Sequence, residues 1–338
     1  MESYVDDFFG GPIKTKGTEE GDRSRAELFF DALITVGELT GAKMNRKKCH
    51  APAKIMEILG FIYDAIARSC RLSPQKTEKY INRIVEVLRS HRVKFKNLEK
   101  LVGSLTYAAW VSPFGRPFLS VLSSVLNSSK TKKLITVSPS MKMALLIWRM
   151  ILRKNKGLSY DFILGRLPRA EHEWFVDAST NFGCGGLAGN NYFMVDNAHL
   201  SRSRFLGQKI KFEEVKIAYR ELLSAVIAFF YFAPYSPSSA VRINVDNQNV
   251  VAWLKKGRCS KELGYRMLSV IELIKLKYNL KVSVSYIRSS ANTSADMLSR
   301  GKTPRWLKTR GTKYNVALSE IEKRLMDPIT FWKKVLLV

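Results

Sequence analysis

Four carboxylates in the second half of the chain could do chemistry together: Asp177, Glu221, Asp246 and Asp296. Asp177 closes the run Trp174-Phe175-Val176-Asp177. Apolar residues fall on both alternating faces of that run, the pattern of a central strand covered on both sides. Glu221 has Ile217 and Ala218 four and three residues before it and Ala225 four after, which sets it on or beside the apolar stripe of a helix. Asp246 ends the strand-like Val241-Arg242-Ile243-Asn244-Val245, and Asp296 falls in the first turn of a helix starting near Thr293. Each acid alone has an ordinary explanation: a rim glutamate or an ion pair with Arg220 or Lys216, a helix cap, a charge that suits a helix dipole. Strand ends, a buried helix face and a helix start can, however, converge on one pocket of an α/β sheet. Carboxylates that meet there cannot all ionise unless cations neutralise them. Hard oxygen ligands suit Mg²⁺ or Mn²⁺, and two such ions can activate a water and stabilise the leaving oxygen of a phosphodiester. The chemistry expected is that of a metal-dependent nuclease.

The elements that must position these acids follow from periodicity. Strands are predicted over Glu173–Ser179, Cys184–Gly189 and Tyr192–Asn197, with Gly183, Gly185 and Gly186 expected to serve a tight turn into the second. A long helix over Glu213–Phe232, a strand over Val241–Asp246, helices over Asn249–Lys256 and Lys261–Leu276, a strand over Lys281–Ile287 and a helix over Thr293–Ser299 complete an α/β (α+β) order. That order predicts a mixed sheet with flanking helices. The preceding part reads as helical. Ser73-Pro74 is a helix start, and further helices are expected near Asn97–Trp110, Pro117–Leu126 and Met141–Leu152. Asn127–Ser138 reads as a linker, Leu59-Gly60-Phe61-Ile62-Tyr63 as a strand, and Gly165–Arg169 as a domain boundary. At the start, Tyr4-Val5-Asp6-Asp7-Phe8-Phe9 suits a hairpin with its two acids at the tip.

Lys and Arg number 56 against 29 Asp and Glu, a net charge of +27, which points to a polyanionic partner and to nucleic acid before a membrane surface. No apolar run reads as a transmembrane span. Cys49, Cys70, Cys184 and Cys259 make no CxxC pair and no zinc spacing, so reduced intracellular thiols are expected.

Four segments carry a resemblance: Phe175-Val176-Asp177-Ala178-Ser179, Tyr219-Arg220-Glu221-Leu222, Asn244-Val245-Asp246-Asn247 and Asn292-Thr293-Ser294-Ala295-Asp296-Met297-Leu298-Ser299-Arg300. Together they resemble the ribonuclease H of retroelement polyproteins, and the last two look most like DIRS-type elements. The resemblance covers about residues 171 to 301. It implies a ribonuclease H-like sheet, with Asp177, Glu221, Asp246 and Asp296 as the catalytic, Mg²⁺- or Mn²⁺-binding acids and an RNA–DNA hybrid as substrate. Lys209, Lys211, Lys255, Lys256 and Arg258 are the candidates for phosphate contacts. Many ribonucleases H carry a histidine before the last acid; here the loop reads Ile287-Arg288-Ser289-Ser290-Ala291-Asn292, a departure that bears on turnover and not on metal binding.

Beside these segments, Tyr4-Val5-Asp6-Asp7 resembles the Y-x-D-D hairpin of reverse transcriptases, and Ser73–Leu126 resembles their thumb and connection. The implied organisation is a partial reverse-transcriptase palm over 1–72, a helical thumb and connection over 73–165, a ribonuclease H-like domain over 166–301 and a tail of unassigned role over 302–338. Asp6 and Asp7 would be a polymerase remnant. Without the palm strand that supplies the third acid, polymerisation by this chain alone is not expected. Two alternatives stay open: a nucleic-acid-binding remnant without catalysis, and a fragment of a full reverse-transcriptase polyprotein.

The charge excess carries its own test. Affinity for any nucleic-acid duplex is expected to fall steeply as salt rises, measured as the slope of log K against log salt. A flat dependence means that the positive charge lies away from any binding face.

Overall fold

Helix starts appear where the local signals are strongest. In the computed structural model, which describes residues 2–4, 7–9, 19–41, 49–155, 157–159, 169–202, 215–259 and 261–321, the chain divides into two compact units, Met1–Arg68 and Ser69–Val338. The break expected near Gly165 falls at residues 160–168, outside the described ones.

In the first unit, β1 (Glu2–Tyr4) and β2 (Asp7–Phe9) form the expected antiparallel hairpin, with Tyr4 opposite Asp7. Asp6 lies outside the described residues. Helix α1 (Glu19–Leu39) follows. A second hairpin joins β3 (Ile55–Ile58) to β4 (Phe61–Asp64). The Leu59-Gly60 pair assigned to a strand by sequence is instead its two-residue turn, with φ of 52° and 78°. Two successive positive φ angles match the right-handed twist of the flanking strands, which pulls even a leucine into that region.

The second unit opens with β5 (Ser69–Leu72) and four helices: α2 (Pro74–Arg89), α3 (Phe95–Ala108), α4 (Arg116–Ser128) and α5 (Pro139–Lys154). Ser73 caps α2 by accepting from the Lys76 amide, and Ser138 caps α5 by accepting from the Met141 amide, each followed by proline at the first helical position. Ile84, Leu98, Leu105, Leu122, Leu145 and Trp148 are fully buried between these helices. The expected linker is partly structured. Leu134–Thr136 (β7) pairs antiparallel with Arg92–Lys94 (β6), and Val93 and Ile135 bury while Arg92, Lys94, Leu134 and Thr136 point outward. A short strand β8 (Leu158–Ser159) pairs with β5.

The mixed sheet that sequence predicted is present. Its strands are β9 (His172–Ala178), β10 (Gly183–Ala188), β11 (Asn191–Asp196), β12 (Ala240–Val245), β13 (Lys281–Tyr286) and β14 (Thr312–Lys313), in spatial order β13-β12-β9-β10-β11-β14. β9, β10 and β11 run antiparallel in succession, while β12 lies parallel to β9 and β13 parallel to β12. The flanking helices are α6 (Asn197–Arg202), α7 (Ile217–Phe232), α8 (Gln248–Lys256), α9 (Glu262–Tyr278), α10 (Thr293–Ser299) and α11 (Arg305–Arg310). α7 packs on β9 and β10, where Trp174 meets Phe229 and Phe232 edge-on at centroid distances of 5.2 and 5.8 Å. On another side of these strands, Leu187, Tyr192, Ala295, Leu298 and Leu307 form a second cluster with Phe175.

Two sequence expectations are corrected. The segment Ile217–Tyr235 is, by length and composition, apolar enough to cross a membrane, against the reading that no run approaches a span. It is 67% buried inside this domain, and a helix covered over most of its surface needs little polar face. The tail, left without a role, builds part of the sheet. β14 lies parallel on β11, Leu307 and Leu318 are buried, and Tyr314 packs near Tyr231, Phe232 and Tyr235. Residues 322–338, including Trp332, lie outside the described residues.

Candidate active site

Asp177 is the penultimate residue of β9, the strand flanked by β12 and β10, and it is buried. Glu221 enters from α7, also buried. Asp246 follows the last residue of β12, and Asp296 sits in α10. Four elements thus each deliver one acid. Each acid lies close enough to another for its charge to be felt there: Asp177 feels Asp246 and Asp296, and Glu221 feels Asp246 and Asp177.

Each carboxylate has a specific neighbour. The Ser299 hydroxyl donates to Asp177 Oδ2 at 2.5 Å, and Ser224 donates to the Asp177 carbonyl at 2.8 Å. Asn247 Nδ2 donates to Glu221 Oε1 at 3.2 Å. Ser289 donates to Asp246 Oδ2 at 2.8 Å, and Arg300 grips Asp296 Oδ1 through Nε at 2.8 Å and a terminal nitrogen at 2.7 Å. The helix-cap role open to Asp246 belongs instead to Asn247, which accepts from the Asn249 and Val250 amides. Arg220, weighed as a partner of Glu221, donates to the carbonyls of Val215, Ser179 and Thr180 and ties α7 to the turn after β9.

The glycines of Gly183-Cys184-Gly185-Gly186 lie within β10 and not in the turn. Gly185 stands opposite Asp177, and a Cβ there would overlap the backbone of Leu298 and Ser299. Its missing side chain is what lets the end of α10 rest on the sheet beside Asp177. Asn292 donates to the Val176 carbonyl at 3.0 Å and Ser179 to the Ser299 carbonyl at 2.6 Å, so both ends of α10 are stitched to the strand that carries the acid and its continuation. Sequence reasoning missed Ser299, Asn247, Ser289 and Gly185. The signal available was that Asn247 follows Asp246 directly and Ser299 lies three positions after Asp296; Ser289 and Gly185 carried none.

Burial dominates the electrostatics. It pushes the Asp177 carboxyl up to about 6, with the Asp246 and Asp296 charges adding to the rise and the Ser299 donor opposing it. Burial pushes Glu221 up to about 8, helped by the Asp246 and Asp177 charges and opposed by Asn247. With both ionised, Glu221 Oε2 and Asp246 Oδ1 are buried without a hydrogen-bond partner; once Glu221 is protonated it can share that proton with Asp246. Orphaned carboxylate oxygens on mutually repelling acids are what a hard divalent cation would satisfy. The fit is partial. Among the described residues no three Asp, Glu, His or Cys side chains converge as a ready metal-holding group, with Asp177 engaged by Ser299 and Asp296 by Arg300.

Of the basic candidates, Lys255, Lys256 and Arg258 lie exposed at and just beyond the end of α8. Lys209 and Lys211 lie outside the described residues. All four cysteines are free thiols, and burial raises the Cys184 thiol to about 12.

No family model matches the chain, and no curated protein matches it. Among solved structures it is similar to a foamy viral protease-reverse transcriptase in complex with an RNA/DNA hybrid, at 12% identity and a TM-score of 0.34, covering 81% of this chain and 34% of that one. It is also similar to a foamy viral protease-reverse transcriptase in complex with dsDNA, at 15% identity and a TM-score of 0.32, covering 77% of this chain and 51% of that one. The chain therefore spans between about a third and a half of the length of these structures. At such identities and scores no residue's role is carried across.

Two outcomes follow from this geometry. Both buried acids have raised values, so their contribution to stability is full below the unfolded values of 3.8 and 4.5 and is lost as pH rises through about 6 and about 8. Chemical denaturation without divalent metal should show stability falling by a few kcal/mol, roughly, between about pH 4 and 8, and Glu221→Gln should flatten the upper part of that fall. A flat profile means the two acids ionise freely in the folded protein. Separately, Gly185→Ala should destabilise by about 1–3 kcal/mol through overpacking against α10. Gly103→Ala, in α3 with open space at its Cβ, should be neutral or stabilising in the same denaturation series.

Proposed function

We propose that the chain is a ribonuclease H of the retroelement type joined to a reverse-transcriptase segment, and that it hydrolyses the RNA strand of an RNA–DNA hybrid with Mg²⁺ or Mn²⁺. The observation that supports this most is the set of four acids from four elements, with Glu221 Oε2 and Asp246 Oδ1 buried and unpartnered. Asp177, Glu221 and Asp246 would hold the metal ions, with Asp296 completing the second position. Bound there, the ions would supply an activated water and a stabilised leaving oxygen.

The chain's own residues prepare that site. Asn247 orients the Glu221 carboxylate so that Oε2 is left for a cation, and Ser289 does the same for Asp246 Oδ1. Ser299 holds Asp177 in one rotamer, at the cost of a donor that a metal must displace or share. Arg300 neutralises Asp296 when no cation is near. The hybrid would be read by its minor-groove shape and 2′-hydroxyls, with exposed lysines and arginines on phosphates. The segment Asn292–Arg300 supports a DIRS-type origin, and Tyr4-Val5-Asp6-Asp7 supports a polymerase palm over residues 1–72 and a thumb and connection over 73–165.

The engagement of Asp177 by Ser299 and Asp296 by Arg300 favours one second reading, a nucleic-acid-binding remnant without catalysis. A labelled RNA–DNA hybrid with Mg²⁺ separates the two. Cleavage by the unaltered chain, lost in Asp177→Asn and in Asp246→Asn while hybrid binding is largely kept, is the expected result. Full cleavage by either variant removes these acids from the mechanism, and binding without cleavage by the unaltered chain leaves the remnant.

A further inference from the structure

Between the helical segment and the mixed-sheet domain runs a groove of about 1130 Å³, lined by α3, α4 and the ends of α8 and α9, with none of the four acids in its wall. It is larger than the ~300–1,000 Å³ of ordinary small-molecule sites, which favours a polymer over a metabolite. Its chemistry is of two kinds. Trp110, just past the end of α3, is 65% exposed and stands in the wall with Trp253 of α8. The Trp253 ring is held in place by stacking on Tyr219 at a centroid distance of 5.1 Å and an angle of 25°. Arg116, Lys256 and Arg258 add three cations, and among the described residues no carboxylate lines the groove.

One face of α4 repeats the theme. Arg116, Ser120, Ser124 and Asn127 recur at helical spacing along the groove, with Leu119, Val121 and Val125 of the same helix also in its wall, while Phe118 and Leu122 are buried. Small side chains on that face let a sugar-phosphate backbone come close, although the Ser120 hydroxyl already donates to the Pro117 carbonyl at 2.6 Å. Aromatic planes in one groove with cations are what binds single strands, because every base has a face to stack and every linkage a charge to neutralise. A duplex keeps its bases stacked on one another and has no use for an exposed indole.

We propose that this groove binds a single-stranded polynucleotide, with Trp110 stacking a base and Arg116, Lys256 and Arg258 holding phosphates. The site adds to the reading above and is placed to work with it. α8 starts beside Asn247, the partner of Glu221, and ends at Lys256, roughly 12 Å away at 1.5 Å per residue. A strand leaving the four acids needs only a few nucleotides to enter the groove.

The test is fluorescence polarisation of a labelled oligo-dT and of a duplex of equal length, without added divalent metal, so that its result does not depend on cleavage. Trp110→Ala is expected to weaken oligo-dT binding by at least about fivefold, as loss of one stacked base does, and Trp110→Phe to restore most of it. Replacing Arg116, Lys256 and Arg258 together with Gln should lower the salt slope for oligo-dT by about 2, as loss of three phosphate contacts on a single strand does. Trp110→Ala should leave duplex affinity unchanged, and Asp177→Asn should leave oligo-dT affinity unchanged. The proposal is overturned if Trp110→Ala leaves oligo-dT affinity intact, or weakens duplex and single strand equally. It is overturned too if the unaltered chain does not bind oligo-dT, whether or not it cleaves a hybrid.

Discussion

The burial of the Asp177 carboxylate on a central strand is the constraint on which this domain turns. An isolated ionised carboxylate in apolar surroundings costs far more than any one contact returns. The fold meets that cost with the Ser299 hydroxyl, brought within 2.5 Å by a helix whose end lies directly on the sheet. That approach needs Gly185 opposite Asp177, since any Cβ would strike the backbone of Leu298 and Ser299. The acid, the glycine and the serine are therefore one device spread over three elements. Its remaining imbalance, seen in the raised affinity of Asp177 and Glu221 for protons, is what gives the site a preference for positive charge.

Apolar packing holds that device from two sides. α7 carries Glu221 on a helix buried along most of its length, against Trp174 in β9. Ala295, Leu298 and Leu307 anchor α10 and α11 over Phe175 and Leu187. Burying several such side chains, at roughly 1.5–3 kcal/mol each, is the term large enough to hold four acids near one another. The tail contributes to the same end: β14 covers the edge of β11, and Tyr314 closes over the end of α7.

Local signals in the chain were enough for most elements of the second unit. Ser73-Pro74 starts a helix wherever it is placed, and the alternation around Trp174 and Val241 is a strand pattern that survives any packing. The misreadings share one cause. β6 and β7 are three residues each, too short for a period to register, and they exist because each supplies the other's hydrogen bonds. β14 has two residues and is a strand only because β11 offers an edge. Leu59 holds a positive φ that its type disfavours, since the turn it closes is worth more than the strain.

The sequence by itself determined the class of fold and the identity of the four acids, because residue type and spacing carry periodicity and charge directly. It also determined the net charge of +27, which does not depend on shape. Only the tertiary structure decided which group faces which acid: Ser299 on Asp177, Asn247 on Glu221, Ser289 on Asp246, Arg300 on Asp296. Of these pairs, Ser299 and Asp177 lie 122 positions apart and Ser289 and Asp246 lie 43 apart, distances over which local periodicity says nothing. Proximity between such residues is created by the sheet order and the packing of α7 and α10 upon it. The placing of Trp110 and Arg258 in one groove is of the same kind, set by two helices meeting and not by either one's sequence.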